Sequence, residues 1–199
     1  MVVIVVEGNI GAGKSTVINA IKEKYPQLSY FEEPVDTWCN GKHNYLDLFY
    51  KDVNRWGFLF QIITTLTRLD QMDTVDKNKV SILDRSIECS RRCFVPALRD
   101  SLTDVEFDVL EKFYDRLSTK HFVDARIYIR TSPEVAYERL SARNRSEEAG
   151  VTLNYLKKLH RAHDDWLLSE DSLVYVVDGN KPKEEVIDNV LHIISNMYL

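Results

Sequence analysis

Val2-Val-Ile-Val-Val6 is an unbroken β-branched run, the pattern of a parallel strand buried on both faces. Similar short runs recur at Leu28 to Phe31, Val80 to Leu83, Ala125 to Ile129 and Leu173 to Val177, which predicts five strands. Between them the apolar spacing changes to three and four. Val17, Ile18 and Ile21 make one stripe, and Trp56, Leu59, Ile63, Leu66, Leu69 and Met72 predict a long helix. Thr103 with Glu106 reads as a capping box. It accompanies the stripe Leu102, Val105, Val109, Leu110, Phe113 and Leu117. Ser132-Pro133 reads as an N-cap followed by proline at the first helical position. Leu153, Leu156, Leu159, His163 and Leu167 predict a further helix, and Val186, Val190, Ile193 and Met197 the last. Strands alternating with helices imply an α/β fold with a five-stranded parallel sheet covered on both faces. Nothing divides residues 1–199, so one domain is expected. Arg139 to Gly150 is dense in charge and reads as a mobile, solvated loop between two helices.

Composition narrows the classes of function. The net charge of −5 argues against a global nucleic-acid or membrane-surface role, which favours a basic excess. No apolar run reaches the roughly 20 residues of a membrane span. The apolar start lacks a basic leader and runs into a glycine loop, so it reads as a strand and not a signal peptide. A cytoplasmic protein is expected. Three cysteines, Cys39, Cys89 and Cys93, make no disulfide framework. Cys89 and Cys93 are four apart and can share a helix face, but no Cys-x-x-Cys or His-x-x-x-His pattern supplies the further ligands of a metal site. None is expected there.

Gly8-Asn-Ile-Gly-Ala-Gly13-Lys14-Ser15 matches the phosphate-binding loop pattern and lies between a predicted strand and a predicted helix, the context it requires. Its glycines let backbone N–H groups close around phosphate oxygens, and the helix N-terminus adds a positive dipole end. Lys14 suits the outer phosphates, and the Ser15 hydroxyl suits Mg²⁺. The loop alone does not name a reaction, because GTPases, ATPases and kinases share it.

Two strand ends offer acceptor chemistry. Ligand crevices lie at the C-terminal ends of parallel strands. Glu32-Glu33-Pro34 closes the second strand, so Glu33 is either a general base for an acceptor hydroxyl or a solvated strand end. Asp84-Arg85-Ser86 closes the third, where an acidic residue is the usual partner of the loop's Mg²⁺. Arg85 beside it is placed to hold acceptor or phosphate, or to make a plain ion pair with Asp84 or Glu33. Arg139, Arg143 and Arg145 form either a clamp on a transferring phosphoryl group or a solvated basic face.

Taken in order, these elements resemble the deoxynucleoside kinase family over nearly the whole chain, Val3 to about Asn180. The resemblance rests on Glu7-Gly-Asn-Ile-Gly11, Glu33-Pro-Val35 with Trp38, Tyr50-Lys-Asp52, Phe60-Gln61, Asp84-Arg-Ser86, Arg143-Asn-Arg-Ser-Glu-Glu148, and Tyr155-Leu-x-x-Leu-His160 through Asp165-Trp166. It implies a P-loop kinase fold with an arginine-rich lid at about 139–150. The implied activity is transfer of the ATP γ-phosphate to a deoxynucleoside 5′-hydroxyl with Mg²⁺, in a homodimer with no nucleic-acid or membrane partner. ATP would lie on Gly8, Asn9, Ile10, Gly11, Ala12, Gly13, Lys14, Ser15 and Thr16, with Asp178, Gly179 and Asn180 beside the adenine. Ser15 and Asp84 would hold the metal.

By the same resemblance Glu33 is the base, Arg85 sits near the 5′-hydroxyl and phosphate, and Arg139, Arg143 and Arg145 are lid arginines. Tyr50 and Glu148 would bind the sugar 3′-hydroxyl, Gln61 would read the base edge and Phe94 would stack on the base. Phe60 and Trp38 would line the pocket, and Ile10 would border it. Two positions depart from the pattern. Asp84 replaces the family's usual Glu, which shortens its reach by one methylene. Arg68 resembles the deoxycytidine and deoxyguanosine kinases, yet Ser90 lacks the aspartate that pairs with that arginine and is nearer the thymidine type. An unpaired Arg68 in an apolar pocket is costly, so it must swing out or find another partner. Broad pyrimidine use with thymidine accepted is the expectation. A thymidylate kinase shares the loop and the Asp-Arg pair but needs an arginine where Glu32 stands. A P-loop switch protein needs an Asn-Lys-x-Asp segment that this chain lacks.

Overall fold

Both faces of the first strand are covered, which explains why its sequence shows no polar alternation. In the computed structural model, which describes residues 2–198 apart from 77, 119–121, 144, 146–147, 149 and 170–172, the strands are β1 (Val2–Glu7), β2 (Ser29–Phe31), β3 (Val80–Asp84), β4 (Ala125–Arg130) and β5 (Val174–Asp178). They form one parallel sheet in the order β2-β3-β1-β4-β5, with Val2 opposite Val80 and Ile4 opposite Ala125. The five predicted strands are all present, each within a residue or two of its predicted bounds.

The helices are α1 (Lys14–Lys24), α2 (Val35–Cys39), α3 (Tyr45–Lys51), α4 (Val53–Asp73), α5 (Ile87–Cys89), a π-turn at Ser90–Phe94, and α6 (Val95–Ala97). After them come α7 (Asp104–Ser118), α8 (Pro133–Arg143), α9 (Leu153–Leu167) and α10 (Lys183–Tyr198). Ile4 and Val6 pack with Val17, Ile18 and Ile21 of α1 and with Val186, Val190 and Ile194 of α10. Val3 and Val5 pack on the other side with Leu83, Phe31 and Met72. Each such fully buried branched side chain contributes roughly 1.5–3 kcal/mol. Placing a charge at Val5 would therefore break the layer that joins β1 to the end of α4.

The predicted capping box closes as expected. The Thr103 N–H donates to Glu106 Oε2 at 2.8 Å, and the Glu106 N–H donates to Thr103 Oγ1 at 3.2 Å. Three expectations need correction. First, the buried face of α7 carries Leu110 and Tyr114, whereas Val105 and Val109 of the predicted stripe are exposed. Second, in α4 the apolar stripe faces outward at Leu59 and Leu66, and the buried face carries Phe60, Gln61, Thr64, Thr65 and Arg68. Burial follows the crevice that α4 lines and not hydrophobicity alone. Third, the charged stretch from Arg139 is not all loop, because α8 continues through Arg143. Residues 144, 146, 147 and 149 of the expected lid lie outside the described residues. Among the described residues, no helix is long and apolar enough to cross a membrane.

Candidate active site

A crevice of about 640 Å³ opens along the C-terminal ends of β1, β2 and β3, lined on one wall by Gly11, Lys14 and Ser15 and on the other by Glu33, Gln61 and Arg85. The first wall is built by backbone. Gly11 and Gly13 have φ of +77° and +100°, a region that L side chains resist. A Cβ on Gly11 would lie 2.3 Å from the Ala136 carbonyl oxygen of α8, so loop and helix touch with no room for one. The buried Asn9 ties the loop down: its Nδ2 donates to Leu156 O at 2.9 Å, and its Oδ1 accepts from the Ile10 N–H at 2.9 Å. Ala12 and Thr16 sit at the loop's end and at the start of α1, and Thr131 Oγ1 donates to Ala12 O at 3.2 Å.

The buried Lys14 ammonium donates to Asn9 O at 3.2 Å and lies 3.9 Å from Asp84 Oδ1. Burial and the Arg85 charge lower its pKa, while Asp84 and Glu33 act the other way. Ser15 Oγ donates to Asp84 Oδ2 at 3.4 Å, and Asp84 Oδ1 is buried without a hydrogen-bond partner. Burial raises the Asp84 pKa against the pull of Lys14. A hydroxyl oxygen beside a carboxylate with an unpartnered oxygen is a donor set that fits a small hard cation such as Mg²⁺. Asp84, with one methylene fewer than Glu, reaches Ser15 directly.

The opposite wall centres on Glu33. Its Oε1 accepts from Arg68 Nη2 at 2.8 Å and lies 3.3 Å from Arg85 Nε. Burial pushes its carboxyl up, but Arg85, Arg68 and Lys14 outweigh burial and bring the pKa down to about 2. Arg68 therefore has its partner in Glu33. Its Nη1 also donates to the Asp84 carbonyl at 3.4 Å. Arg85 is the only described non-glycine residue with positive φ, at 68°. The strain, of order 1–3 kcal/mol, is offset by its contacts. Nη1 donates to Gly8 O at 2.7 Å, and the guanidinium lies 4.9 Å over the Phe94 ring.

An aromatic floor closes the crevice. Trp38 and Phe60 meet edge to face at 5.7 Å, and Phe60 stacks on Phe49 at 4.6 Å. Gln61 is buried with Oε1 unpartnered, so one acceptor is available to a ligand. Ser90 is buried and faces Tyr114, whose hydroxyl also meets Thr65 Oγ1 at 3.0 Å. Tyr50 and Glu148 both line the crevice. Burial, then Tyr155 and Glu148, push the Tyr50 hydroxyl pKa well up, so it stays a neutral donor.

The arginines divide. Arg139 Nη1 reaches Ala12 O of the glycine loop at 3.4 Å. Arg143 and Arg145 instead hold Glu148, at 2.6 and 3.3 Å. Asp178 ends β5, and Gly179 and Asn180 form the turn after it, which is joined to Ser132 just before α8. The Ser132 N–H donates to Asn180 Oδ1 at 2.9 Å, and Asp178 Oδ1 accepts from the Asn180 N–H at 3.0 Å. This places the turn next to Thr131 and so to the loop.

Sequence reasoning assigned no role to Glu7. It is fully buried, and its Oε1 accepts from the Ser86 N–H at 2.9 Å and from Ser86 Oγ at 2.6 Å. Burial raises its pKa well above the ordinary value. This pair fixes the turn that carries Arg85, and a charged residue ending an otherwise apolar strand was its signal. Phe49 was also missed, because α3 is too short to show a period.

The family model for "Deoxynucleoside kinase" matches residues 4–198. Mitochondrial thymidine kinase 2 of Homo sapiens is 37% identical over 171 residues, covering 83% of this chain and 64% of that protein. The probable deoxycytidine kinase of fowlpox virus (strain NVSL) is 32% identical over 213 residues, covering 98% of this chain and 88% of that protein. Deoxycytidine kinase of Rattus norvegicus is 31% identical over 192 residues, covering 82% and 74%. The chain thus spans 64% of the length of the mitochondrial thymidine kinases it matches, those of Macaca fascicularis and Homo sapiens.

Proposed function

We propose, for a chain that belongs to the deoxynucleoside kinase family, that it transfers the γ-phosphoryl group of ATP to the 5′-hydroxyl of a deoxynucleoside. One observation carries this reading: an ionised, arginine-held carboxylate, Glu33, shares a crevice with the glycine loop and Lys14. Donor phosphates lie along the loop's N–H groups and Lys14. The acceptor hydroxyl donates to Glu33. With its pKa held down to about 2, Glu33 is ionised at neutral pH, so it orients the hydroxyl and takes its proton as the new P–O bond forms. That suits phosphoryl transfer, where the transition state is loose and the proton departs late. Arg85, beside Glu33, meets the charge that spreads over the moving phosphoryl oxygens. Arg139 stands at the loop for the same purpose, and Arg143 and Arg145 complete the lid. Ser15 and Asp84 are the residues we propose for Mg²⁺, which when bound neutralises phosphate charge.

Tyr50 and Glu148 take the 3′-hydroxyl, Gln61 the base edge, and Phe94 with Phe60 and Trp38 the base faces. We infer pyrimidine preference with thymidine accepted. Arg68 is occupied by Glu33, and Ser90 leaves room for a 5-methyl group. Asp178, Gly179 and Asn180 flank the adenine. The exposed apolar residues Leu59 and Leu66 of α4 and Val105 and Val109 of α7 support a homodimer, and residues 1–199 are read as one cytoplasmic domain. Steady-state kinetics with ATP and Mg²⁺ on the four natural deoxynucleosides and thymidine monophosphate test the reading. Thymidine and deoxycytidine should give the highest kcat/KM. Turnover of none of the four would overturn it, and a preference for the monophosphate would move the chain to the nucleotide kinases.

A further inference from the structure

Behind Arg85, away from the crevice, three groups with soft or borderline donor atoms converge. Cys89, Cys93 and His163 are each fully buried, and Cys89 Sγ, Cys93 Sγ and a His163 ring nitrogen all lie within 4.8 Å of one another. Cys89 ends α5, and Cys93 lies in the π-turn, which is closed by the Val95 N–H donating to Ser90 O. His163 comes from the buried face of α9. No disulfide links the three cysteines, all of which are described.

The histidine is set up as a ligand. Its Nδ1 lies 2.7 Å from the Leu159 carbonyl oxygen, an acceptor only, so Nδ1 carries the proton and donates it there. That leaves the Nε2 lone pair facing Cys89 Sγ, 3.5 Å away. A ring nitrogen bound to a backbone carbonyl, with the other aimed at a ligand cluster, is the usual arrangement of a metal-binding histidine. The ring is further held by stacking on Tyr128 at 6.0 Å. Zn–S bonds of about 2.3 Å and Zn–N bonds of about 2.0 Å require ligand atoms roughly 3.5–3.8 Å apart. The Cys89–His163 edge already has that length. The remaining edges, at most 4.8 Å, close by no more than about 1.3 Å, within the reach of side-chain rotation.

We propose that Cys89, Cys93 and His163 form a binding site for a thiophilic d¹⁰ cation, specifically Zn²⁺, that fastens α5 and the π-turn to α9. Zn²⁺ binds as the two thiols give up their protons to solvent, leaving two thiolates, a neutral imidazole and no net charge on the cluster. Arg85 Nη1, 3.5 Å from Cys89 Sγ, then donates to a metal-bound sulfur. The site is separate from the Ser15 and Asp84 oxygens, which suit a hard cation.

The full-length protein, stripped of metal and dialysed against Zn²⁺ with excess Mg²⁺, should retain one zinc per chain by elemental analysis. At a hundredfold excess over its Kd, zinc should raise Tm by about 5–10 °C. Co²⁺ in its place should give thiolate charge-transfer absorption. Cys93→Ser and His163→Gln, each checked for native circular dichroism, should weaken binding at least tenfold. Zinc retained below half a mole per chain, cobalt without a thiolate band, or a folded C93S variant that binds as the unaltered chain does would overturn the proposal. If both variants fail to fold, zinc content and the cobalt spectrum of the unaltered chain decide it. None of these readouts depends on phosphoryl transfer, so their failure leaves the kinase reading standing.

Discussion

The two walls of the crevice are built differently. The wall we propose for the phosphate donor, Gly8 to Ser15, is one continuous segment that offers backbone N–H groups and a helix end. The wall we propose for the acceptor gathers Glu33 from the end of β2, Arg68 from α4 and Arg85 after β3, and offers side chains. Backbone recognises phosphate, which every nucleotide shares. Side chains discriminate, because each polar group left unpaired by a wrong ligand has a cost. The difference teaches that changes to the donor wall should be blind to the acceptor nucleoside, while changes to the acceptor wall should not.

The largest expected effect breaks the donor wall. Lys14→Met should lower kcat/KM by about a thousandfold, and by nearly the same factor for every nucleoside, because in the proposed reaction the lost charge serves the donor phosphates that every acceptor shares. A factor that varied tenfold among nucleosides would end the separation of the two walls. Next, Glu33→Gln should reduce kcat by about a hundredfold or more with KM little changed, since the amide still occupies the position between Arg68 and Arg85. Unchanged kcat would remove Glu33 from the acceptor role. A smaller effect should follow Arg68→Met. One of the two cations on Glu33 is lost, so its pKa rises from about 2 toward 4.5, and the ratio of kcat/KM for thymidine over deoxycytidine should move by about tenfold. A ratio that stayed constant would show that Arg68 serves only to hold Glu33.

The smallest effect concerns stability. The folded-state pKa of Glu33 is depressed, so its pairing stabilises the fold fully above pH 4.5, and that contribution fades as pH falls toward 2. Glu33→Gln lacks this dependence. Urea midpoints of the two proteins should therefore differ at pH 7 and converge between pH 4.5 and 2. Parallel curves over that range would refute the assigned pairing.

Legibility divided along the same line as the walls. Val2 to Val6 and the motif after it stood out because strand, loop and helix are contiguous. Glu33 and Asp84 were located as strand ends without any knowledge of the crevice. The apolar stripe of α4 marked the helix but not its buried side, which carries Gln61, Thr64 and Arg68 while Leu59 and Leu66 face outward. Hydrophobic periodicity assumes that buried means apolar, and a helix that lines a polar crevice violates that assumption. The short α2 and α3 and the π-turn between α5 and α6 carried no readable period, though they bring Trp38, Phe49 and Phe94 to the site.

The chain's sequence by itself determined the parallel α/β layering, the phosphate-binding loop and the identity of the charged strand ends, because these depend on neighbours within about 15 residues. Only the tertiary structure decided that Arg68 pairs with Glu33, 35 positions away, that Glu33 is thereby held ionised, and that His163 meets Cys89 across 74 positions. Such meetings depend on how helices pack over the sheet, and packing is set by the summed burial of the whole core, which no local pattern encodes.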